Sequence, residues 1–472
     1  MSTTNSAVGS SGATRVEKDS MGEMNVPAEA LYGASTARAV ANFPIANRPV
    51  PPQVIHAFGH LKAACATVNQ QLGKLDPKLA GAIVTAAEEV AAGKHDREFP
   101  VDVYQTGSGT SSNMNANEVI AHLAGKAGVK LHQNDHVNMG QSSNDTFPTA
   151  MHLATALALR DKLVPALKRF HEALDRRAKE WDHIVKVGRT HTMDATPIRM
   201  GQVFAGYTQQ AVTMKAMADK ALAAIAKDMP IGGTAVGTGI NTHPEFGRRV
   251  CVELHKRTGI PFEEAAVHTE AQAAADVFTA CHGRLKVIAV ALTKIANDIR
   301  LLGMGPRCGI GELTLPAIQP GSSIMPGKEN PVIAESAMQV ACRVIGNDAV
   351  VTTAALGGVG SIFELNVAMP VMIDAIIESI TLLANVSNVF VDKLLSGLKV
   401  NEKRCAELVE VSLMNVTPLA PVIGYENAAK VAKQAMAEGK TIRQIAKDLK
   451  LLDDAQLDKL LDFDAMTRPD KA

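Results

Sequence analysis

The sequence predicts an all-α chain built around a bundle of long helices, and three observations lead there. Aromatic residues make up only 4% of the 472 residues, while Ala, Leu, Ile, Val and Met abound, a balance that suits helix-on-helix packing better than a β-sandwich. Apolar residues recur at helical spacing over unusually long stretches. Those stretches are Ala-rich and their stripes wander, which favours a bundle of several helices over a two-stranded zipper.

Five long helices are expected. From Phe147 to Trp181, the positions Leu153, Leu157, Val164, Leu167, Phe170 and Leu174 follow intervals of three, four or seven. Thr196–Met229 is a second and stops at Pro230. Thr269–Gly303 carries Val277, Cys281, Leu285, Ile288, Leu292, Ile295 and Ile299 on one stripe. Pro331–Leu356 and Pro370–Leu395 each open on a proline at a plausible first helical position, and the latter stops at Ser396–Gly397. Polar residues inside these helices, such as Lys294, Asn297, Asp298 and Arg300, hint at a bundle completed by further subunits. Three regions are expected: 1–141 with short helices and loops, 142–399 with the long helices, and 400–472 as a smaller helical tail. The tail has a break at Pro418–Gly424 and an amphipathic helix from Glu426 to Gly439.

Bulk composition narrows the function. Lys plus Arg and Asp plus Glu both total 48, so no basic surplus argues for nucleic acid. The six cysteines (Cys65, Cys251, Cys281, Cys308, Cys342, Cys405) are scattered; they read as small buried thiols of a reducing cytosol, with no metal or cluster site implied. No segment is expected to cross a bilayer. Residues 1–13 read as a disordered polar tail and not a signal peptide, so the expected location is cytoplasmic.

The chemistry is concentrated in four segments rich in Gly, Ser, Thr, Asn and His, each expected at a helix end. Thr106–Asn117 (TGSGTSSNMNAN) offers backbone N–H groups and hydroxyls to an oxyanion, or is a turn with capping residues. Gly140–Thr149 (GQSSNDTFPT) could bring donors to the positive end of a helix, or be an ordinary N-cap. Gly188–Pro197 (GRTHTMDATP) contains His191, the one side chain in the four segments that titrates near neutrality. Pro320–Pro331 (PGSSIMPGKENP) sets two serines, Lys328 and Asn330 in a Pro/Gly frame; lysine and backbone amides beside a serine lower the cost of an alkoxide. Together they suit a small dianion, with proton abstraction next to a carboxylate followed by loss of a group from the adjacent carbon.

These segments, with DSMGEMNVPAEALYGAST near the start and FELNVAMPVM at 363–372, closely resemble the class II (iron-independent) fumarases of the fumarase/aspartase superfamily. The GSSxMPxKxNP frame carries the superfamily. TGSGTSSNMN, QSSND and GRTH carry the fumarase, since aspartases tend to have QSTND and a glutamine where His191 stands. The resemblance implies reversible, stereospecific hydration of fumarate to (S)-malate without cofactor or metal, through an aci-carboxylate intermediate. It makes Ser322 the base for the C3 proton and pairs His191 with Glu335 at the water. Ser108, Gly109, Thr110, Ser142, Ser143, Asn144, Thr190, Ser323, Lys328 and Asn330 would hold the carboxylates. His132, Gln133, Asn134 and Asp135 match an outer dicarboxylate site, although the basic residue of some relatives has no clear counterpart at Val129 or Lys130. The implied assembly is a homotetramer with a 20-helix core and active sites shared by three subunits. Glu329 replaces a usual Val, Gly140 a common Ser, and Thr192–Met193 a common Leu–Gln. The competing readings are an ammonia-lyase acting on aspartate or a related amino acid, a hydratase of a related unsaturated dicarboxylate, and a catalytically silent helical oligomer; His191 counts against the first, and the complete acid/base set against the last.

Overall fold

The computed structural model describes residues 13–469, so most of the expected N-terminal tail lies outside the described residues. Among the described residues the chain is helical, with four two-stranded antiparallel ribbons, and it divides into two compact units.

The first unit comprises 13–164, 217–286 and 343–382. Its N-terminal hairpin, Thr14–Asp19 with Gly22–Pro27, is fastened by Arg15, whose guanidinium donates to the carbonyls of Pro27, Ala28, Ala30 and Tyr32. The 20-residue helix Pro52–Gln71 is buried nearly all round, the mark of a central core helix. Helix Pro77–Ala91 lies hard against it, because Gly59 leaves no room for a side chain: a Cβ there would sit 2.3 Å from Ala91 N. Thr110–Lys126 and Ser143–Ala158 complete the packing around the polar segments.

The second unit comprises 165–216, 287–342 and 383–469. Trp181, Phe204 and Tyr207 stack edge to face, with centroids 4.7 and 5.2 Å apart, and Phe170 meets Phe390 in the same way. Near the C-terminus, Leu419, Val431, Ile442, Ile445 and Leu457 make a small hydrophobic core of their own.

The long helices are Met200–Ile225, Asp276–Leu302, Val332–Ala355 and Met369–Phe390, plus Ser143–Ala158 continued through a wide turn at Leu159–Leu163 into Val164–Glu180. Each is divided between the two units. Four expectations need correction. Residues 196–199 belong to a strand, Met193–Arg199, so the helix begins only at Met200; Thr196 precedes a proline, which disfavours helical backbone there. The helix expected from Thr269 is broken at the extended residue Ala274 and restarts at Asp276. Met369–Leu395 is long and apolar enough to span a membrane by composition, yet 72% of its apolar window is buried inside the protein, as a core helix requires. Cys308 and Cys342 are exposed, while the other four cysteines are buried.

The polar residues inside the long helices find partners within their own unit. Asp298 accepts from Tyr207 Oη at 3.0 Å and pairs with Lys294, and Arg300 donates to Asn297. The same helices also leave apolar side chains exposed: Val287 and Val290 on one, Ile345 and Val350 on another.

Candidate active site

In the first unit, the stretch Thr106–Asn117 is a loop only as far as Gly109; from Thr110 onward it is helix. Gly109 holds the turn in the left-handed region at φ +73°, with the Phe147 ring where a side chain would go. A chain of hydroxyls crosses from this turn to the next: Ser108 Oγ lies 2.9 Å from Thr110 Oγ1, which lies 2.8 Å from Ser143 Oγ. Two helix N-termini, those of Thr110–Lys126 and Ser143–Ala158, thus share one hydroxyl cluster, and helix N-termini favour anions.

Ser142 caps the second helix. Its Oγ accepts from Asn144 N at 3.2 Å, and Asp145 Oδ1 accepts from Ser142 N at 2.9 Å. Asp145 is fully buried and its other oxygen takes the N–H groups of Gly232 and Thr234. Burial pushes its carboxyl up to about 6 against the pull of those N–H groups and of Lys62. Asn144 Nδ2 donates to Ala235 O at 2.9 Å. The glycine-rich segment 231–241 therefore buttresses this turn, a role sequence reasoning missed although its four glycines in eleven residues were visible.

The stretch His132–Asp135 leads into a short wide turn, Gln133–Val137. His132 Nδ1 lies 2.9 Å from Asp135 Oδ2 and 3.2 Å from Asp135 N, and His132, Asn134 and Asp135 are exposed.

In the second unit, His191 sits on a β-hairpin and not on a helix-capping loop. Strands Val185–Thr190 and Met193–Arg199 pair with Thr190 opposite Met193, leaving His191 and Thr192 as the two-residue turn. Both have positive φ, +56° and +64°, as a type I′ turn requires. A β-branched threonine is costly in that region, and strain of this kind gathers at functional positions. The hairpin is tied down at its base by Glu312, which is completely buried. Its carboxylate takes a bidentate pair from Arg189 at 2.9 and 3.0 Å and lies 3.1 Å from Lys186 Nζ.

The segment Gly321–Pro331 is closed on itself. Gly321 N donates to Lys328 O at 2.9 Å, Asn330 Nδ2 donates to Gly321 O at 2.7 Å, and Lys328 Nζ reaches Asn330 Oδ1 at 2.5 Å. A side chain at 321 would strike Lys328 O at 2.2 Å, so the closure demands glycine. Within this ring Ser322 Oγ accepts from two backbone N–H groups, Met325 at 3.0 Å and Ile324 at 3.3 Å. Local turns of this kind are common for serine, but two N–H dipoles aimed at one oxygen also favour its anionic form. Ser323, Lys328 and Glu329 are exposed, as are Thr190 and His191. Glu335 stands half-buried in the first turn of helix Val332–Ala355, and no hydrogen bond or ion pair joins it to His191 within one chain. Among the described residues no three His, Cys, Asp or Glu side chains gather into a metal-holding group.

A family model described as Lyase matches residues 22–346, and one described as Fumarase C C-terminus matches 416–468. The chain is 54% identical over 463 residues to a class II fumarate hydratase of Corynebacterium glutamicum, covering 97% of each chain. It is 52% identical to one of Mycobacterium tuberculosis, again covering 97% of both. Among solved structures, a class II fumarase from Schistosoma mansoni superposes with a TM-score of 0.93 at 37% identity, covering 96% of this chain and 99% of that one. A fumarate lyase:delta crystallin from Brucella melitensis bound to cobalt gives 0.92 at 40% identity, covering 97% and 100%.

Proposed function

The chain belongs to the class II fumarate hydratase family and is a hydro-lyase, and from that premise we propose that Ser322 is its base and His191 with Glu335 its water-handling pair. The observation that carries this reading is the pair of N–H groups on Ser322 Oγ. In the malate-to-fumarate direction, Ser322 as alkoxide takes the C3 proton. The electron pair moves into the neighbouring carboxylate, giving an aci-carboxylate whose added charge Lys328 and Asn330 stabilise. Expulsion of the C2 hydroxyl then forms the double bond, and the His191–Glu335 pair supplies the proton that lets it leave as water. Hydration runs through the same steps in reverse. The hydroxyl cluster of Ser108, Thr110 and Ser143, with Gly109, Ser142, Asn144, Thr190 and Ser323, orients the two carboxylates. His132–Asp135 is assigned to an outer, weaker dicarboxylate site.

The same reading makes the protein a cytoplasmic homotetramer whose sites draw loops from three chains, with residues 400–472 as a separate small domain. The exposed apolar side chains on the long helices support it, among them Val287 and Val290, which stand three residues apart on one helix face. So does the exposure of His191 and of the Ser322 loop in a single chain.

The test is a panel of fumarate, mesaconate and aspartate followed by absorbance, with light scattering for mass. Fumarate hydration by a particle of four chains supports the reading. Ammonia addition without hydration, or full activity in a monomer, overturns it.

A further inference from the structure

Lys62 lies in the middle of the apolar helix Pro52–Gln71 and is completely buried. Its ammonium is satisfied by three neutral oxygens: Asn113 Oδ1 at 2.8 Å, Gln141 Oε1 at 2.9 Å and Asn138 Oδ1 at 3.0 Å. No carboxylate pairs with it directly. A buried charge without a partner is expensive, so its retention calls for a compensating anion. The three amides show where that anion would come. Asn113 stands in the first turn of the helix that begins at Thr110, and its oxygen also accepts from Thr146 Oγ1 at 3.2 Å. Gln141 directly precedes the capping Ser142. Asn138 is held to the same segment through Gln141 O.

We propose that Lys62 is a positioning residue of the dicarboxylate site: it locks the amides beneath the Thr110 and Ser142–Ser143 turns, and its charge is balanced by the carboxylate those turns bind. The proposal rests on the reading that these turns hold substrate. The charged and titratable groups facing Lys62 are Asp145, from helix Ser143–Ala158, and Cys65, one turn further along its own helix; the remaining neighbours are neutral amides. Asp145 is occupied by the N–H groups of Ser142, Gly232 and Thr234. Burial draws the Lys62 ammonium down to about 8, which places its proton within reach of ordinary assay conditions. A bound dianion favours the protonated form. Dicarboxylate binding above pH 8 should therefore take up a proton, and affinity should fall as pH rises through that value.

The experiment uses succinate, a dicarboxylate with no double bond to hydrate, titrated calorimetrically into the full-length protein at pH 7 to 9.5. Two buffers of different ionisation heat report the protons taken up. The wild type is expected to take up about half a proton per site at pH 8.5 and to lose affinity about threefold per pH unit there, about tenfold in all. Lys62→Met should weaken binding about tenfold at pH 7, with proton uptake and pH dependence both gone, while Lys62→Arg restores affinity without uptake. If Lys62→Met does not fold, the wild-type titration decides alone: a flat affinity with no proton uptake overturns the proposal. Wild type that binds succinate with uptake but does not hydrate fumarate leaves this inference standing and removes the catalytic one. Wild type that binds no dicarboxylate removes both.

Discussion

Glu312 concentrates more electrostatic risk than any other side chain near the His191 hairpin, and Glu312→Gln measures it. The carboxylate is fully buried and serves two cations, Arg189 through both oxygens and Lys186 through one. Lys186 is itself buried, and burial already lowers its proton affinity while Glu312 raises it. An amide of the same shape keeps one acceptor oxygen but removes the charge that both cations face. Breaking a buried pair by neutralising one partner costs about 3 to 5 kcal/mol, because the remaining charge is stranded. Arg189 is two residues from His191 and one strand position from the turn, so part of that loss should appear as mobility of the imidazole. Catalytic geometry tolerates little displacement, and about 1 Å can cost on the order of 100-fold in rate. Denaturant unfolding and steady-state fumarate hydration on the same preparation read the two effects. The expected result is a stability loss of about 3 kcal/mol or more together with a fall in kcat of at least tenfold. A variant unfolding at the wild-type midpoint with kcat within twofold would refute the claim that this ion triad anchors the hairpin.

Other predictions follow from single positions. Gly109→Ala places a Cβ 2.0 Å from a Phe147 ring carbon on a backbone with φ +73°; strain and overpacking should cost about 3 kcal/mol and raise KM for fumarate, and an unchanged midpoint and KM would count against the turn's role. His152 is fully buried, donates from Nδ1 to Ile225 O at 2.6 Å, and is held by burial down at about 4 from an ordinary 6.5. Its folded form binds fewer protons than its unfolded form between those values, so its contribution is complete above pH 6.5 and is lost as pH falls towards 4, by about 3 kcal/mol. His152→Gln should flatten that acid slope in pH-dependent unfolding, and an equal slope in both proteins would contradict it.

The long helices were legible because their apolar stripes are long, and the proline openings at Pro331 and Pro370 marked two of their starts to within a residue. The hairpin around His191 was not. Its strands are short, Gly188 and Pro197 interrupt any alternation, and its turn uses His–Thr in place of the glycine-containing pair that signals such turns. The Ser322 loop was readable as a shaped segment, since its Pro/Gly frame is local. Its two N–H bonds to Ser322 Oγ depend on the closure between Gly321 and Lys328, which no residue pattern states. Lys62 escaped notice for the opposite reason: one lysine in an apolar run looks like a solvent-facing residue until Asn113, Asn138 and Gln141, far along the chain, are seen to surround it.

In the mechanism proposed, Ser322 removes the C3 proton. Ser322→Ala deletes the hydroxyl and leaves the Gly321–Lys328 and Asn330–Gly321 bonds that close the loop, so fold and assembly should survive. Turnover of malate and fumarate, measured beside circular dichroism and mass, is the direct measurement. The expected rate is lowered at least about 100- to 10,000-fold in a particle of unchanged helicity and size; a correctly folded Ser322→Ala variant turning over near the wild-type rate would show that another group takes the proton.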